Sequence, residues 1–539
     1  MGEKGSKINR KLNYSTQPWR MLKKLLQDKS KRILYHSYFY GGKMTEIKQD
    51  TWSKETGYIW SMIGSAVGFA NVLSFSALCY RNGGGAFLIP YLLAHLLIGI
   101  PMLFLEGTIG QKTKLPLVAA MGTVVGTKGK MIGWFCVLTC ATIGGLYMVL
   151  TGFALAYTYF SAAGSIGTDT AHFFNHTFLG DTGSLAVGGT LAKSIFFSTL
   201  LVALFAWLVL SRNIRSGVEK ICTIFLPMLA ILVVGFSIFT FFLPGASIGF
   251  YNYLVPDFSR LGNWTLWRDV FGQVFFSLSL GLGIVIGYSR HNPDTFSIPR
   301  AMFKVAIGDV LISFISGLAI FGCIGFMSLK SATPFAQLVA TESPFEIGFV
   351  VFPRILQEFG PLLSTILGPL FFICIFIAGI TGVFSIVESV AGNFEVEFSQ
   401  ERKKAVGFAM LLVTLLAIPF CMGNGQHLVG ALSPMVLGNA IVFGGIVEVI
   451  VFLSFSKVIG NAPIWGTASR RSFSFYALKY VVLPLLMITL LGTFVKEFTT
   501  PFGLAGVVRY AWLLVVLLIS GALCLRKAPY SQNLNPSSD

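Results

Sequence analysis

The sequence predicts an all-α integral membrane protein of about twelve transmembrane helices, and three observations carry that expectation. Hydrophobic residues make up 54% of the 539-residue chain. Charged residues make up only 12%, about half the share a soluble protein carries. Apolar stretches of roughly 20 residues, enough to cross a hydrocarbon core about 30 Å thick, recur from end to end. A water-soluble enzyme has no use for so much apolar surface, and that class is excluded.

Taken in order, the crossings fall near 57–80, 86–110, 131–160, 192–211, 218–243, 266–289, 300–328, 361–394, 404–422, 432–455, 478–495 and 508–526. An even number puts both termini on one side, and charge chooses the side. Connections on the side of the termini carry Lys112, Lys114, Lys128, Lys130, Arg212, Arg215, Arg290, Arg402, Lys403, Lys404, Lys457, Arg470 and Arg471. The opposite connections carry fewer: Lys193, Arg260, Arg268, Lys330, Arg354, Lys496 and Arg509. Both termini are therefore expected in the cytoplasm. Two outer connections are long, 161–191 and 329–360, and "SPFEIGFVVFPRIL" in the second reads as a partly helical lid.

The net charge of +17 does not point to nucleic acid, because residues 1–43 hold eleven Lys or Arg against only Glu3 and Asp28. Two readings of this arm stay open: a cytoplasmic tail facing anionic head groups, or a wrongly assigned start, since Met44 opens "MTEIKQDTW". No apolar stretch of a removable leader precedes residue 57. The eight cysteines all fall in or beside apolar stretches without metal-ligand spacing, and read as packing residues. The expected organisation is a basic arm over 1–45, a first five-helix repeat over 46–260, a second over 261–456, and helices eleven and twelve with a tail over 457–539.

Two crossings are unsuited to ordinary lipid-facing helices. The first carries "GSAVGFAN" (64–71) and the sixth "FFSLSLGLG" (275–283) at mid-depth. Small residues there also suit close helix packing. Occurring at helices one and six, the first of each half, they predict discontinuous helices in a 5+5 inverted repeat, with a binding site at the breaks. Unwound backbone survives at that depth only where it lines a cavity or is wrapped in protein. Its bare N–H groups suit a carboxylate, and its bare carbonyls suit an ammonium or a hard cation. Asn71, Ser277, Ser279, Asp309 and Thr381, with the hydroxyl of Tyr147, are the side-chain candidates. Asp309 is the sharpest, since a lone carboxylate at mid-membrane costs roughly 2.5–3.5 kcal/mol and needs a partner. Glu106, Glu388 and Glu448 are further intramembrane carboxylates. His95 and His427 have no evident companions and read as structural.

The block "SAVGFANVLSFSALCYRNGGGAFLIPYLLAHLLIGIPMLFLEGTIGQ" resembles the first two helices of the neurotransmitter:sodium symporters, which share the leucine-transporter fold. "GVEKICTIFLPML", "FGQVFFSLSLGLG", "SFISGLAIF" and "FIAGITGVFSIVE" extend the resemblance over most of residues 46–455. It implies a non-enzymatic, sodium-coupled carrier of a neutral, hydrophobic amino acid, working by alternating access; the short loops and the lack of a leader-like stretch point to a bacterial inner (plasma) membrane. It implies a first sodium held by the Ala66 carbonyl, Asn71, Ser277 and Asp309, and a second by the carbonyls of Gly64, Val67 and Ala378 with the Thr381 hydroxyl. The substrate carboxylate would meet the amides of Phe69 and Ala70 and the Tyr147 hydroxyl. Its ammonium would meet the carbonyls of Ala66, Phe276 and Ser277 and the Ser279 hydroxyl. Ile143, Phe276, Leu282, Gly382 and Ile386 would wrap its side chain. Gly68 stands where the family's monoamine carriers place an aspartate, which favours a substrate with its own carboxylate.

The departures from the family pattern are specific. Ser74 and Ser433 replace the arginine and aspartate of the outer gate. Gln49 and Val396 replace the cytoplasmic pair, although Lys48 and Glu395 lie beside them. Gly382 removes a hydroxyl from the second sodium site and is expected to enlarge the side-chain pocket. Tyr91, Gln273, Ser277 and Ser313 match the family's chloride ligands, but Asp309 supplies a negative charge of its own, so chloride independence is expected. Two alternatives stay open: a membrane amino-acid sensor that does not transport, and a proton-coupled carrier using Asp309. The lipid bilayer and a small amino acid are the expected partners, nucleic acid is not, and a homodimer remains open.

Overall fold

Apolar runs in a membrane have no water to bond their backbone groups, so they close those bonds internally as helices. In the computed structural model, which describes residues 37–40, 43–46, 50–332, 335, 346–454, 473–499 and 502–526, ten helices are long and apolar enough to cross. They are the second span (Gly85–Thr113), the third (Leu117–Ala162), the fourth (Lys193–Leu210) and the fifth (Arg215–Phe241). The second half supplies the seventh (Ile298–Ser331), eighth (Pro361–Glu397), ninth (Arg402–Cys421) and tenth (Gly425–Leu453), followed by the eleventh (Ser474–Val495) and twelfth (Leu504–Cys524). The first and sixth spans are the exceptions. The first is two helices, Glu55–Ala66 and Ala70–Arg81, bent by 54°. The sixth is also two, Trp264–Ser277 and Ile284–Ser289. Among the described residues ten of the twelve expected crossings are single helices, the bent first pair makes an eleventh, and the sixth is two shorter helices.

The third span begins earlier than expected because Gly126 (φ 65°, ψ −143°) kinks a short leading helix onto it. The long outer connection is helical over Ile347–Gln357, as the lid expectation required; residues 333–334 and 336–345 of it lie outside the described residues. In the basic arm, Ser37–Tyr40 and Lys43–Glu46 pair as a two-stranded antiparallel hairpin with Phe39 opposite Met44, a local element the composition of the arm did not indicate.

Burial sorts the spans by role. The most apolar stretch of the third span is 94% buried and that of the eighth 83%, against 17% for the twelfth and 22% for the eleventh. The third and eighth spans line the interior beside the broken helices, whereas the last two face lipid. All eight cysteines are buried and unpaired.

Candidate functional site

The first break is narrower than the "GSAVGFAN" motif suggests: the helix holds through Ala66 and only Val67 turns extended (φ −81°, ψ 102°). What matters is where the next N–H groups go. The Gly68 N–H, helical partner of the Gly64 carbonyl, donates to Asn71 Oδ1 (3.0 Å). The Ala70 N–H, partner of the Ala66 carbonyl, lies beside the Tyr147 hydroxyl. The Asn71 N–H, partner of the Val67 carbonyl, donates to Gly68 O (3.2 Å). The carbonyls of Gly64, Ala66 and Val67 thus lose their helical donors. They are the three that the resemblance assigns to cations.

The sixth span breaks over 278–283, with Ser279 (φ 57°), Gly281 (φ 72°) and Gly283 (φ 71°) all left-handed. Glycine accepts that conformation freely; serine there is strained, and such strain persists only where its surroundings hold it. The Ser279 hydroxyl is held by Ser65 O of the first break (3.1 Å). A side chain on Gly281 would begin 2.6 Å from Ile441 O, so only glycine lets the break pack on the tenth span. The Gly281 N–H donates to Glu106 Oε1 (2.8 Å) and so releases the Ser277 carbonyl. Glu106 thus takes up a backbone group of the break, while its Oε2 and both carboxylate oxygens of Glu448 are buried without a hydrogen-bond partner among the described residues.

Asp309, fully buried on the seventh span, joins both breaks. Its Oδ1 accepts from Asn71 Nδ2 (2.7 Å) on the first span and from the Ser277 hydroxyl on the sixth. Its Oδ2 accepts from Tyr91 (3.2 Å), whose hydroxyl also lies 3.0 Å from Ser313 Oγ. Asn71 Nδ2 donates to Ser313 as well (2.9 Å). His95, expected to be structural and without a companion, stands with Nε2 2.9 Å from the same Oδ2. The oxygens of Asp309, Ser277 and Asn71 with the freed Ala66 carbonyl fit a hard cation that takes only oxygen ligands. One adjustment is needed: Asn71 points its amide nitrogen at Asp309, and must turn its oxygen inward to ligate. Of the residues matched to chloride ligands, Tyr91, Ser277 and Ser313 gather around the carboxylate. Gln273 instead donates to Ala70 O (2.7 Å).

At the second assigned cation site, Thr381 Oγ1 donates to Ile377 O (3.0 Å) and Ala378 O (3.2 Å) of its own helix. Gly64 lies against it: a side chain there would begin 3.2 Å from Thr381 Cβ. The aromatic wall is formed by Tyr147, edge-on to Phe69 (5.3 Å between centroids) and to Phe276 (6.0 Å). Ile143, Leu282 and Ile386 are buried, with Ile386 packed on Gly144. Gly382 does not open a larger pocket as expected. A side chain there would begin 2.8 Å from Tyr147 Cε1, so the tyrosine ring already occupies the space.

The end of the bundle that carries Trp52, Arg290 and Arg402 is closed by groups that the resemblance does not pair. Trp52 Nε1 donates to Tyr288 O (2.9 Å), and the Tyr58 and Ser289 hydroxyls meet at 2.7 Å. Arg402 grips Glu388 with two bonds (3.0 and 2.8 Å). Arg290 binds Glu395 (2.8 Å) and lies 3.6 Å from Glu388, with His291 at 3.4 Å. Glu395 thus turns to the sixth span; Lys48 and Gln49 lie outside the described residues. At the outer end Ser433 bonds Val429 O of its own helix (2.7 Å). Closure there falls to the lid. Gly348 packs on Leu73, and the fully buried Phe349 inserts among Phe153, Tyr157 and Phe372 at 5.0–5.8 Å. His427, also read as solitary, meets Asp181 (2.9 Å).

Comparison with known proteins agrees with this architecture. The model of the sodium:neurotransmitter symporter family matches residues 49–169 and 163–526. An uncharacterized sodium-dependent transporter of Methanocaldococcus jannaschii is 34% identical over 409 residues, 76% of this chain and 82% of that protein. One of Bacillus subtilis is 26% identical over 459 residues, 81% and 96% of the two chains. The sodium-dependent dopamine transporter of Bos taurus is 29% identical over 442 residues, 75% and 62%. The crystal structure of MhsT in complex with L-phenylalanine shares the fold with a TM-score of 0.70, at 24% identity, over 83% of this chain and 100% of that one.

Proposed function

The chain belongs to the sodium:neurotransmitter symporter family, and from that premise we propose that it carries a neutral, hydrophobic amino acid with sodium by alternating access. The observation that carries this reading is the meeting of two broken helices at Asp309. There, Asn71 of the first break and Ser277 at the sixth both bond one buried carboxylate. Sodium at the first site takes Ala66 O, Asn71, Ser277, Asp309 and the substrate's own carboxylate. A second sodium takes the carbonyls of Gly64, Val67 and Ala378 with the Thr381 hydroxyl. The substrate carboxylate replaces Tyr147 as partner of the Ala70 amide and takes the Phe69 amide. Its ammonium meets the carbonyls of Ala66, Phe276 and Ser277 and the Ser279 hydroxyl. Ile143, Phe276, Leu282, Gly382 and Ile386 enclose the side chain, and their apolar character favours a hydrophobic one. Gly68 supports a substrate with its own carboxylate, because any side chain there would begin 2.9 Å from the Tyr147 hydroxyl.

Chloride is not part of this cycle. Asp309 Oδ2 already takes the donors that an anion would need, so a free anion beside it would meet repulsion. The protein lies in the plasma membrane with both termini in the cytoplasm, the side favoured by its basic connections.

The test is reconstitution in liposomes. Uptake of a hydrophobic amino acid requires an inward sodium gradient and persists when gluconate replaces chloride; uptake that ignores sodium overturns the reading. The missing charged outer gate favours one second reading, a sensor that binds without transporting. Counterflow separates the two, since a sensor exchanges nothing. In the same assay Tyr147→Phe weakens substrate about 10-fold or more, the worth of a hydrogen bond to a charged group, and leaves sodium affinity nearly unchanged. Equal loss of both removes Tyr147 from the carboxylate site.

A further inference from the structure

His95 sits on the second span, one turn beyond Tyr91, in a widened helical turn over His95–Gly99. On the same helix Leu92, Leu93 and Leu96 are exposed to the apolar surround, whereas His95 is 3% exposed. The imidazole therefore points inward, into a layer whose polar atoms belong to the cation cluster. Its Nδ1 lies 3.1 Å from Tyr91 O and its Nε2 lies 2.9 Å from Asp309 Oδ2. Both ring nitrogens thus have a hydrogen-bond partner. The ring is fixed from both ends. Tyr91 braces it further, edge-on with centroids 4.4 Å apart.

The two oxygens of Asp309 are thereby divided. Oδ2 is committed to the second span through His95 and Tyr91, and Oδ1 to the broken helices through Asn71 and Ser277. A carboxylate held in this way offers one oxygen to a cation rather than two, in a fixed direction. Partners that orient a metal-binding group in this manner are typically worth about 10- to 100-fold in metal affinity.

We propose that His95 is a positioning residue for sodium: it anchors Asp309 Oδ2 so that Oδ1 alone faces the ion at the meeting of the broken helices. The proposal rests on the first-site reading above and adds to it a residue that touches neither sodium nor substrate. Asn71, Ser277 and Tyr91 act on Asp309 from the first, sixth and second spans. His95 is the one that secures the far oxygen through a ring locked at both nitrogens.

The test uses the full-length purified protein in lipid nanodiscs, with sodium titrated by thermal shift and by radiolabelled substrate binding. His95→Phe keeps the ring volume and removes both nitrogens. It is expected to raise the half-saturating sodium concentration about 10- to 100-fold, while substrate affinity at saturating sodium moves by no more than about 3-fold. His95→Gln, whose amide nitrogen reaches a similar point, restores sodium affinity to within about 3-fold of the parent. A packing role predicts the reverse: Phe is tolerated and Gln is not. Parent-like sodium affinity in His95→Phe, or no recovery in His95→Gln, overturns the proposal while leaving the site itself standing. Asp309→Ala is measured alongside; unchanged sodium affinity there brings down the first-site reading and this proposal with it.

Discussion

Asp309→Ala abolishes sodium-dependent substrate binding, with half-saturation for sodium raised at least about 100-fold, or about 3 kcal/mol. The size follows from what the side chain holds together. Its Oδ1 joins the first span to the sixth through Asn71 and Ser277, and its Oδ2 ties both to the second span through Tyr91 and His95. Alanine removes the only full negative charge in that cluster and leaves several buried donors without their acceptor. Hydrogen bonds to a charged group are worth about 1.5–3 kcal/mol each, so relaxation of the neighbours cannot make up the loss. Sodium titration of substrate binding checks it. Asp309→Asn keeps the shape without the charge, so sodium affinity between those of alanine and the parent separates charge from geometry. Binding that survives alanine unchanged excludes Asp309 from the site.

Glu388→Ala is the second large effect, and it falls on the closed end that the proposed topology places in the cytoplasm. Glu388 is fully buried, gripped twice by Arg402 and approached by Arg290 and His291. Removing one partner of a buried ion pair strands the other, at a cost of about 3–5 kcal/mol. That cost applies only while the cluster stays dry. A state in which the cytoplasmic end opens lets water solvate Arg290 and Arg402, so the variant shifts toward that state. The measurement is labelling of a cysteine at position 289, whose serine is buried against Tyr58 in this closed arrangement. Reactivity from the cytoplasmic side rises several-fold in Glu388→Ala, and the unfolding midpoint falls. A fall in midpoint without new reactivity assigns Glu388 to stability alone.

The spans were legible because hydropathy is a local property. The breaks were legible because glycine and serine, which at mid-depth also serve close packing, recur at the first helix of each half. Even there the sequence blurred the extent: "GSAVGFAN" suggests unwinding from Gly64, yet the helix runs to Ala66, since what frees the Gly64 carbonyl is the diversion of the Gly68 N–H to Asn71. Asp309 was visible as a costly lone charge, but its partner was not. His95 lies 214 positions away, and only the rotation of the second span against the seventh turns it inward. The signal available was its position four residues after Tyr91, on the same helical face. Gly382 misled for a related reason: a missing side chain reads as empty space, but the neighbouring tyrosine moves into it. The cytoplasmic cluster was hidden because its charges come from the sixth, eighth and ninth spans, none of which pairs locally.

Among the described residues the helical connection over Ile347–Gln357 packs through Phe349, and the Lys330–Glu358 pair of the same connection is exposed. Arg81 and Asp269 meet nearby at 3.0 Å, but the arginine is 45% exposed, and such pairs contribute little. Making this contact is therefore a dehydration event. It carries a negative heat-capacity change, loses strength on cooling, and is nearly indifferent to ionic strength. A contact built this way responds to temperature more than to salinity.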